Sequence, residues 1–134
     1  MATVTSMIPL LVYEDIERAH DFLVQAFGFE PGGVERDADG NVIHEVRSAD
    51  RVIWLHRVTE EHGLASPSSG RPATGGLVVH VDDVDAHFAR ARAAGAQIDS
   101  EPSDQPYGQR EYGARDLEGH RWWFATPTTT NPAG

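Results

Sequence analysis

The chain contains one sequence pattern twice, and this repeat limits the folds that are open to it. The first copy runs V-Y-E-D-I-E-R-A-H-D-F from Val12 and ends at Gly28, and the second runs V-D-D-V-D-A-H-F-A-R from Val81 and ends at Gly95. Each copy predicts a strand, an acidic helix start, a helix of about three turns and a glycine stop. Two similar modules are the simplest interpretation of such a repeat. We therefore expect a ligand site between the two halves.

The hydrophobic pattern predicts the same element order, βαβββ, in both halves. In the first half we predict strands at 7–12, 29–36, 41–47 and 51–58, a helix from Asp15 to Gly28, and a hairpin turn at Asp39-Gly40. In the second half we predict strands at 75–81, 96–101, 109–115 and 120–126, a helix at 83–94, and a loop at 102–107. The predicted fold class is α+β, with two βαβββ modules that form curved mixed sheets around a groove.

The predicted order of strands and helices divides the chain into two modules of one domain. Residues 1–134 form a single domain in which module one spans 7–58 and module two spans 75–127. The segment 59–74 between them is rich in Pro, Gly and Ser and is predicted to be a linker. The tail 128–134 is predicted to be disordered.

Composition excludes several classes of function. Acidic residues number 21 against 11 basic residues, all of them Arg, and the formal net charge is −10. Such a charge disfavours nucleic-acid binding, which needs a basic surface, and it favours a cationic ligand or simply solubility. Without Lys there is no Schiff-base chemistry. No apolar run is long enough to span a membrane, and the lack of Cys fits a cytoplasmic protein.

Two segments together resemble a known family. They are Y-G-Q-R-E-Y-G-A-R-D-L-E-G-H-R-W-W-F-A-T-P from Tyr107 and V-D-D-V-D-A with a later A-G-A. They are similar to the vicinal oxygen chelate superfamily, which includes glyoxalase I, extradiol dioxygenases and bleomycin resistance proteins. The resemblance covers about residues 7 to 127. Leu117 stands where the closing signature of the family usually has Pro.

The resemblance also implies where a metal would be bound. The four ligand positions of the metal-using members fall on Ile8, Trp54, Gly76 and Trp123. None of these side chains can coordinate a divalent metal. The chain therefore resembles the metal-free, resistance-protein-like branch, and we expect no metal and no cofactor. The alternative is a rearranged metal site that uses His56 and His80 with a nearby carboxylate.

The predicted function is metal-free binding and sequestration of a flat aromatic small molecule, such as an antibiotic or another natural product. Two tryptophans would stack on the ligand, four residues would orient its polar groups, and three would form apolar walls. The expected stacking residues are Trp54 and Trp123. The expected polar contacts are His56, His80, Arg110 and Tyr112, and the expected apolar walls are Ile8, Leu10 and Val78. The resemblance further implies a homodimer, in which each groove can use residues of both chains.

Other interpretations of these residues stay open at this point. The tryptophans could instead fill the space of a lost metal, and Arg110 could pair with an acidic residue. The alternative function is a metal-dependent lyase or isomerase, or a dioxygenase, of the same superfamily, and a third possibility is a scaffold module without a ligand. His20 and His87 lie at near-equivalent helical positions and are predicted to be surface or packing residues.

Overall fold

A computed structural model describes residues 2–36, 38, 40 and 42–128 of the chain. Module one comprises β1 (Leu10–Tyr13), α1 (Ile16–Phe27), β2 (Glu30–Arg36), β3 (Val42–Ser48) and β4 (Arg51–Arg57). Module two comprises β5 (Gly76–His80), α2 (Val84–Ala93), β6 (Gln97–Gln105), β7 (Gln109–Arg115) and β8 (Arg121–Pro127). Residues 39 and 41 and the predicted tail beyond residue 128 lie outside the described residues.

Both helices begin and end as their sequences predict. Asp15 and Asp83 are the N-caps, and each side chain accepts a hydrogen bond from the backbone N–H three residues later, at Arg18 and Ala86. Helix α1 ends at Gly28, whose φ of 79° is left-handed and suits glycine. Neither helix is long and apolar enough to cross a membrane, as far as the described residues go.

The strands form two separate four-stranded mixed sheets with the same order. The first sheet has the order β1-β4-β3-β2 and the second has the order β5-β8-β7-β6. In each sheet the first strand runs parallel to the last strand of its module, and the remaining pairs are antiparallel. The fold is therefore the α+β arrangement of two βαβββ modules that the repeat predicts.

Strand β6 corrects one prediction. The segment 102–107, which begins with Pro102, was expected to be a loop, but β6 continues to Gln105. It is an edge strand, and its pairing with β7 is irregular between Ile98 and Ser103. Proline is tolerated at such edges and bulges, because no ladder hydrogen bond is lost there.

The two modules share one hydrophobic core. It joins Leu23 and Phe27 of α1 and Leu55 of β4 to Trp122 and Phe124 of β8, all of them buried. The ring of Phe27 lies 5.5 Å from that of Trp122 and 4.8 Å from that of Phe124. The helix-covered faces of both sheets therefore pack into a common interior.

A buried carboxylate also joins the modules. Asp116, in the turn before β8, accepts hydrogen bonds from the Tyr13 hydroxyl at 2.5 Å and from Trp122 Nε1 at 3.1 Å. Burial, together with the nearby negative charge of Asp116, raises the pKa of Tyr13 well above its usual value. Because the hydroxyl stays protonated, it remains a donor to Asp116 and links β1 to module two.

Candidate functional site

Trp54 and Trp123 occupy equivalent places in the two sheets. Trp54 lies on β4 beside Leu10 of β1, and Trp123 lies on β8 beside Val78 of β5. Both side chains are partly buried. Side chains alternate along a strand, and the neighbours of each tryptophan, Leu55 and Trp122 among them, are in the core. The two tryptophans therefore lie on the sheet faces turned away from the core, called the outer faces below.

The two outer faces of one chain do not form a common cavity around these tryptophans. Each sheet turns its opposite face into the same interior, so the outer faces point away from that shared core. Neither tryptophan lines the three cavities identified among the described residues. Within one chain, the two tryptophans therefore do not share any of these three cavities.

Trp123 lies across a gap that two glycines leave in the sheet. A Cβ atom at Gly76 would lie 2.5 Å from Trp123 Cζ3, and one at Gly113 would lie 3.4 Å from Trp123 Nε1. The guanidinium of Arg121 stands 5.4 Å from the centre of the indole ring, which is a cation–π distance. Glycines on both neighbouring strands thus let a large flat ring lie close to the backbone.

The expected apolar walls are exposed. Ile8 precedes β1 and is 41% exposed, Leu10 is 40% exposed and Val78 is 60% exposed. Leu10 and Val78 lie next to the tryptophans on the outer faces. Apolar side chains at this exposure, clustered around partly buried tryptophans, are typical of a binding or association surface.

The two expected histidines differ in their environment. His56 lies on the outer face of β4 but is buried, and its Nδ1 lies 2.7 Å from the Arg57 carbonyl oxygen. His80 lies on the outer face of β5, is exposed, and has Nε2 at 3.3 Å from Gln109 Oε1. His80 is therefore accessible to a ligand, while His56 is buried beneath the surface of the outer face.

Arg110 and Tyr112 lie on the other side of their strand, which corrects the expectation that they contribute to the groove. Tyr112 is fully buried in the core, where its hydroxyl lies 2.6 Å from His87 Nδ1. Burial raises its pKa, so the phenol stays neutral. Arg110 Nη2 pairs with Asp85 of α2 at 3.1 Å, and Nη1 lies 3.4 Å from Asp104. The alternative, that Arg110 pairs with acidic residues, is what the structure shows.

The residues of β7 that do face outward were not predicted. Glu111 pairs with Ala125 on the outer face and accepts hydrogen bonds from the Tyr107 hydroxyl and, at 3.2 Å, from Gln109 Nε2. In module one, Glu45 lies beside Trp54 and pairs with Arg47 at 3.0 Å, whereas the residue beside Trp123 in module two is Gly113. Strand alternation could have identified Glu111, had the buried side of β7 been assigned correctly.

The residues at the family's metal-ligand positions do not fit a metal. Ile8, Trp54, Gly76 and Trp123 carry no side-chain atom that coordinates divalent ions. The Trp123 ring also covers Gly76, where the third ligand would project. Among the described residues, no group of three or more His, Asp or Glu side chains could hold a metal ion elsewhere.

The fold and sequence identify the family. Residues 5–124 match the model of the Glyoxalase/Bleomycin resistance protein/Dioxygenase superfamily. The chain therefore belongs to this superfamily, in agreement with the resemblance of its closing segment and its repeated helix starts.

Similar proteins come from several bacteria. An uncharacterized protein of Mycobacterium bovis is 35% identical over 128 residues, which cover 91% of this chain and 83% of that protein. The crystal structure of TioX from a Micromonospora species is 34% identical, with a TM-score of 0.70 over 92% of this chain and 99% of that chain. TnmS3, an antibiotic binding protein from a Streptomyces species, is 25% identical, with a TM-score of 0.73 over 95% of this chain and 98% of that chain.

Proposed function

We propose that this protein binds and sequesters a flat aromatic small molecule, such as an antibiotic or another natural product, without a metal and without making or breaking a bond. The observation that carries the proposal is the pair of tryptophans at equivalent positions of two sheets. The resemblance places two of the ligand positions of the metal-using members on these residues. With a partly exposed indole at both positions, the chain has two stacking surfaces in place of two metal ligands.

The relatives support a binding role. TnmS3, which has the same fold, is described as an antibiotic binding protein. An apolar surface with a few polar groups suits a drug-sized molecule, and the outer faces combine Leu10, Val78 and the tryptophans with His80 and Glu111. In the proposed complex, the rings stack on the ligand while His80 and Glu111 orient its polar groups.

The proposal includes a homodimer in the cytoplasm. Because the two outer faces of one chain point away from its shared core, Trp54 of one protomer would meet Trp123 of its partner. Each dimer would then contain two equivalent sites. Ile8, Leu10 and Val78, which are exposed in one chain, would be covered by the association or by the ligand.

Fluorescence titration with flat polycyclic antibiotics tests the proposal. We expect the ligand to quench tryptophan emission, and Trp54→Ala and Trp123→Ala to weaken binding by more than about tenfold each. A stacked aromatic contact contributes about 0.5–1.5 kcal/mol beyond its buried area, and about 1.4 kcal/mol is a factor of ten.

Leu117→Ala is the matched control, because Leu117 is an exposed apolar residue in the turn before β8. Circular dichroism should show an intact fold in all three variants, and the control should bind like the parent. If both tryptophan variants bind a verified ligand as tightly as the parent, the indoles only fill space and the proposed site is wrong.

A further inference from the structure

The outer face of the second sheet carries a carboxylate close to Trp123. Glu111 of β7 is partly buried and lies opposite Ala125 of β8. His80 of β5 lies on the other side of Ala125, and Trp123 is the next residue of β8 on the same face. Diagonal neighbours on adjacent strands, such as Glu111 and Trp123, are about 7–8 Å apart, which one aromatic ligand can span. A molecule stacked on this tryptophan would therefore meet the carboxylate.

Within the described part of the chain, the hydrogen bonds of this carboxylate all go to one of its two oxygens. Glu111 Oε1 accepts from the Tyr107 hydroxyl and, at 3.2 Å, from Gln109 Nε2. The other oxygen, Oε2, has no hydrogen bond or ion pair with any described residue, and it is not buried. Each oxygen of an ionised carboxylate is an acceptor, so Oε2 can accept from a ligand.

The two groups that hold the carboxylate in place are neutral. Because Gln109 Nε2 donates to Glu111, the amide oxygen of Gln109 is the atom that lies 3.3 Å from His80 Nε2 and accepts from it. The hydrogen bond to Glu111 raises the pKa of the Tyr107 phenol, so the hydroxyl stays protonated and remains a donor. An amide and a phenol thus fix the orientation of the carboxylate without compensating its negative charge.

Two other carboxylates near the tryptophans have arginine partners. Glu45 of β3 pairs with Arg47 at 3.0 Å. Asp99 of β6 lies 3.1 Å from the Nε atoms of both Arg115 and Arg121. The carboxylate of β7, in contrast, has no basic side chain within ion-pair distance among the residues that the structure describes. Its charge is therefore available to a cation that comes from outside the chain.

A stacked ligand changes the hydration of this carboxylate. A flat ring on Trp123 displaces water from the face around it, and a carboxylate that loses water without gaining a cationic partner is destabilised. A ligand with a cationic group replaces this water by a charge-assisted hydrogen bond, which is stronger than a bond between neutral groups. The formal net charge of −10 adds a long-range attraction for cations. The local and the overall charge therefore favour the same class of ligand.

We propose that the aromatic ligand of this protein carries a protonated amine beside its flat ring system, and that Glu111 selects it. The indole of Trp123 stacks on the ring, while Glu111 Oε2 accepts a hydrogen bond from the ammonium group. Tyr107 and Gln109 are positioning residues that act through Glu111. This inference rests on the proposed function, and it specifies the charge of the ligand and the residue that recognises it.

Three probes that differ only in one substituent test the charge preference. They are the aminomethyl, hydroxymethyl and carboxylate derivatives of anthracene, which are a cation, a neutral molecule and an anion at about pH 7.5. The anisotropy of the anthracene emission measures their binding. We expect the amine to bind about ten- to a hundredfold more tightly than the alcohol, as for a charge-assisted hydrogen bond. The carboxylate should bind most weakly, because its charge has the same sign as that of Glu111.

Glu111→Gln locates the preference. Glutamine has nearly the same shape but no charge, so the variant should bind the amine at least about tenfold more weakly and the alcohol like the parent. Glu17→Gln is the matched control, because it removes one negative charge from an exposed residue of α1, the helix on the core side of the first sheet. Circular dichroism should show an intact fold in both variants. An equal loss in the control would mean that the net charge attracts the amine, and it would contradict the role of Glu111.

Trp123→Ala separates this inference from the function on which it rests. The variant should weaken binding of the amine and of the alcohol alike, because both stack the same ring. If the alcohol binds the parent as tightly as the amine and Trp123→Ala weakens both, the protein binds flat rings and only the charge preference is wrong. If none of the three probes binds at millimolar concentration, the aromatic site itself is contradicted together with its charge preference. Amine binding that is unchanged in Trp123→Ala would place the probe elsewhere on the acidic surface and overturn the inference.

Discussion

His87 is a residue through which the two modules contact each other directly. Its Nε2 lies 2.7 Å from the carbonyl oxygen of Phe27 in α1, and its Nδ1 lies 2.6 Å from the Tyr112 hydroxyl. Since the carbonyl can only accept, Nε2 carries the proton and Nδ1 accepts from the phenol. The sequence predicts a surface or packing residue here, and it cannot show this contact because Phe27 is sixty positions away.

This geometry predicts a loss of stability in mild acid. Burial lowers the pKa of His87, and the nearby Arg90 lowers it further, although the hydrogen bond to Phe27 opposes the change. The unfolded chain therefore takes up the proton first, at about pH 6.5. The contribution of His87 to the free energy of unfolding should be constant above that pH and should fall below it until the folded state is protonated too.

Urea unfolding at about pH 7.5 and about pH 5.5 measures this effect. The parent should lose more unfolding free energy between the two pH values than His87→Gln, which keeps hydrogen-bonding atoms but does not titrate. The comparison with this variant removes the contribution of the other histidines. Equal losses in both proteins would mean that His87 does not control the acid response.

At the scale of elements, the repeat predicts the strands and helices but not which side of each strand is buried. In β4 the alternation is clear, because Ile53 and Leu55 are apolar and in the core. In β7 the sequence Q-R-E-Y-G-A-R has polar residues on both sides of the strand. Arg110 and Tyr112 were therefore expected on the outer face, but they lie on the side that faces the helices. The position of the outer faces follows from packing of Phe27 against β8, which is a contact between modules. A pattern within one strand cannot contain that information.

The close approach of β5 to β8 predicts the effect of one methyl group. A Cβ at Gly76 would lie 2.5 Å from Trp123 Cζ3 and 2.8 Å from the Arg121 carbonyl oxygen. Gly76→Ala should therefore displace the Trp123 ring and destabilise the fold by about 1–3 kcal/mol, as overpacking usually does. Urea unfolding gives the stability, and a shift of the tryptophan emission reports the displaced ring.

Gly75→Ala is the matched control for this substitution. Gly75 is the preceding residue, and a Cβ there would have no atom within 4 Å. The control should leave both stability and emission close to those of the parent. If Gly76→Ala behaves like Gly75→Ala, the ring moves aside without cost and Trp123 is not fixed by its glycine neighbours.

At the scale of the whole molecule, the arrangement of the two modules leaves the apolar surface around each tryptophan exposed in one chain. Leu10 is 40% exposed and Val78 is 60% exposed, each next to a tryptophan, and Met7 before β1 is 87% exposed. The strands β1 and β5 are also edges of their sheets. Exposed apolar surface and open edges are features that association with a partner covers. We therefore expect a homodimer at micromolar concentration.

Light scattering coupled to size-exclusion chromatography tests this expectation, with the parent eluting at twice the mass of one chain. Leu10→Glu and Val78→Glu should each shift the equilibrium to the monomer, because they place a charge in a surface that loses water on association. Leu117→Glu introduces the same charge at a side chain that is 45% exposed, in the turn before β8, and should stay dimeric. Both monomeric variants should also lose aromatic-ligand binding, since each proposed site needs one tryptophan from each protomer. A parent that is monomeric at micromolar concentration, or a monomeric variant that still binds the ligand tightly, would contradict the shared site.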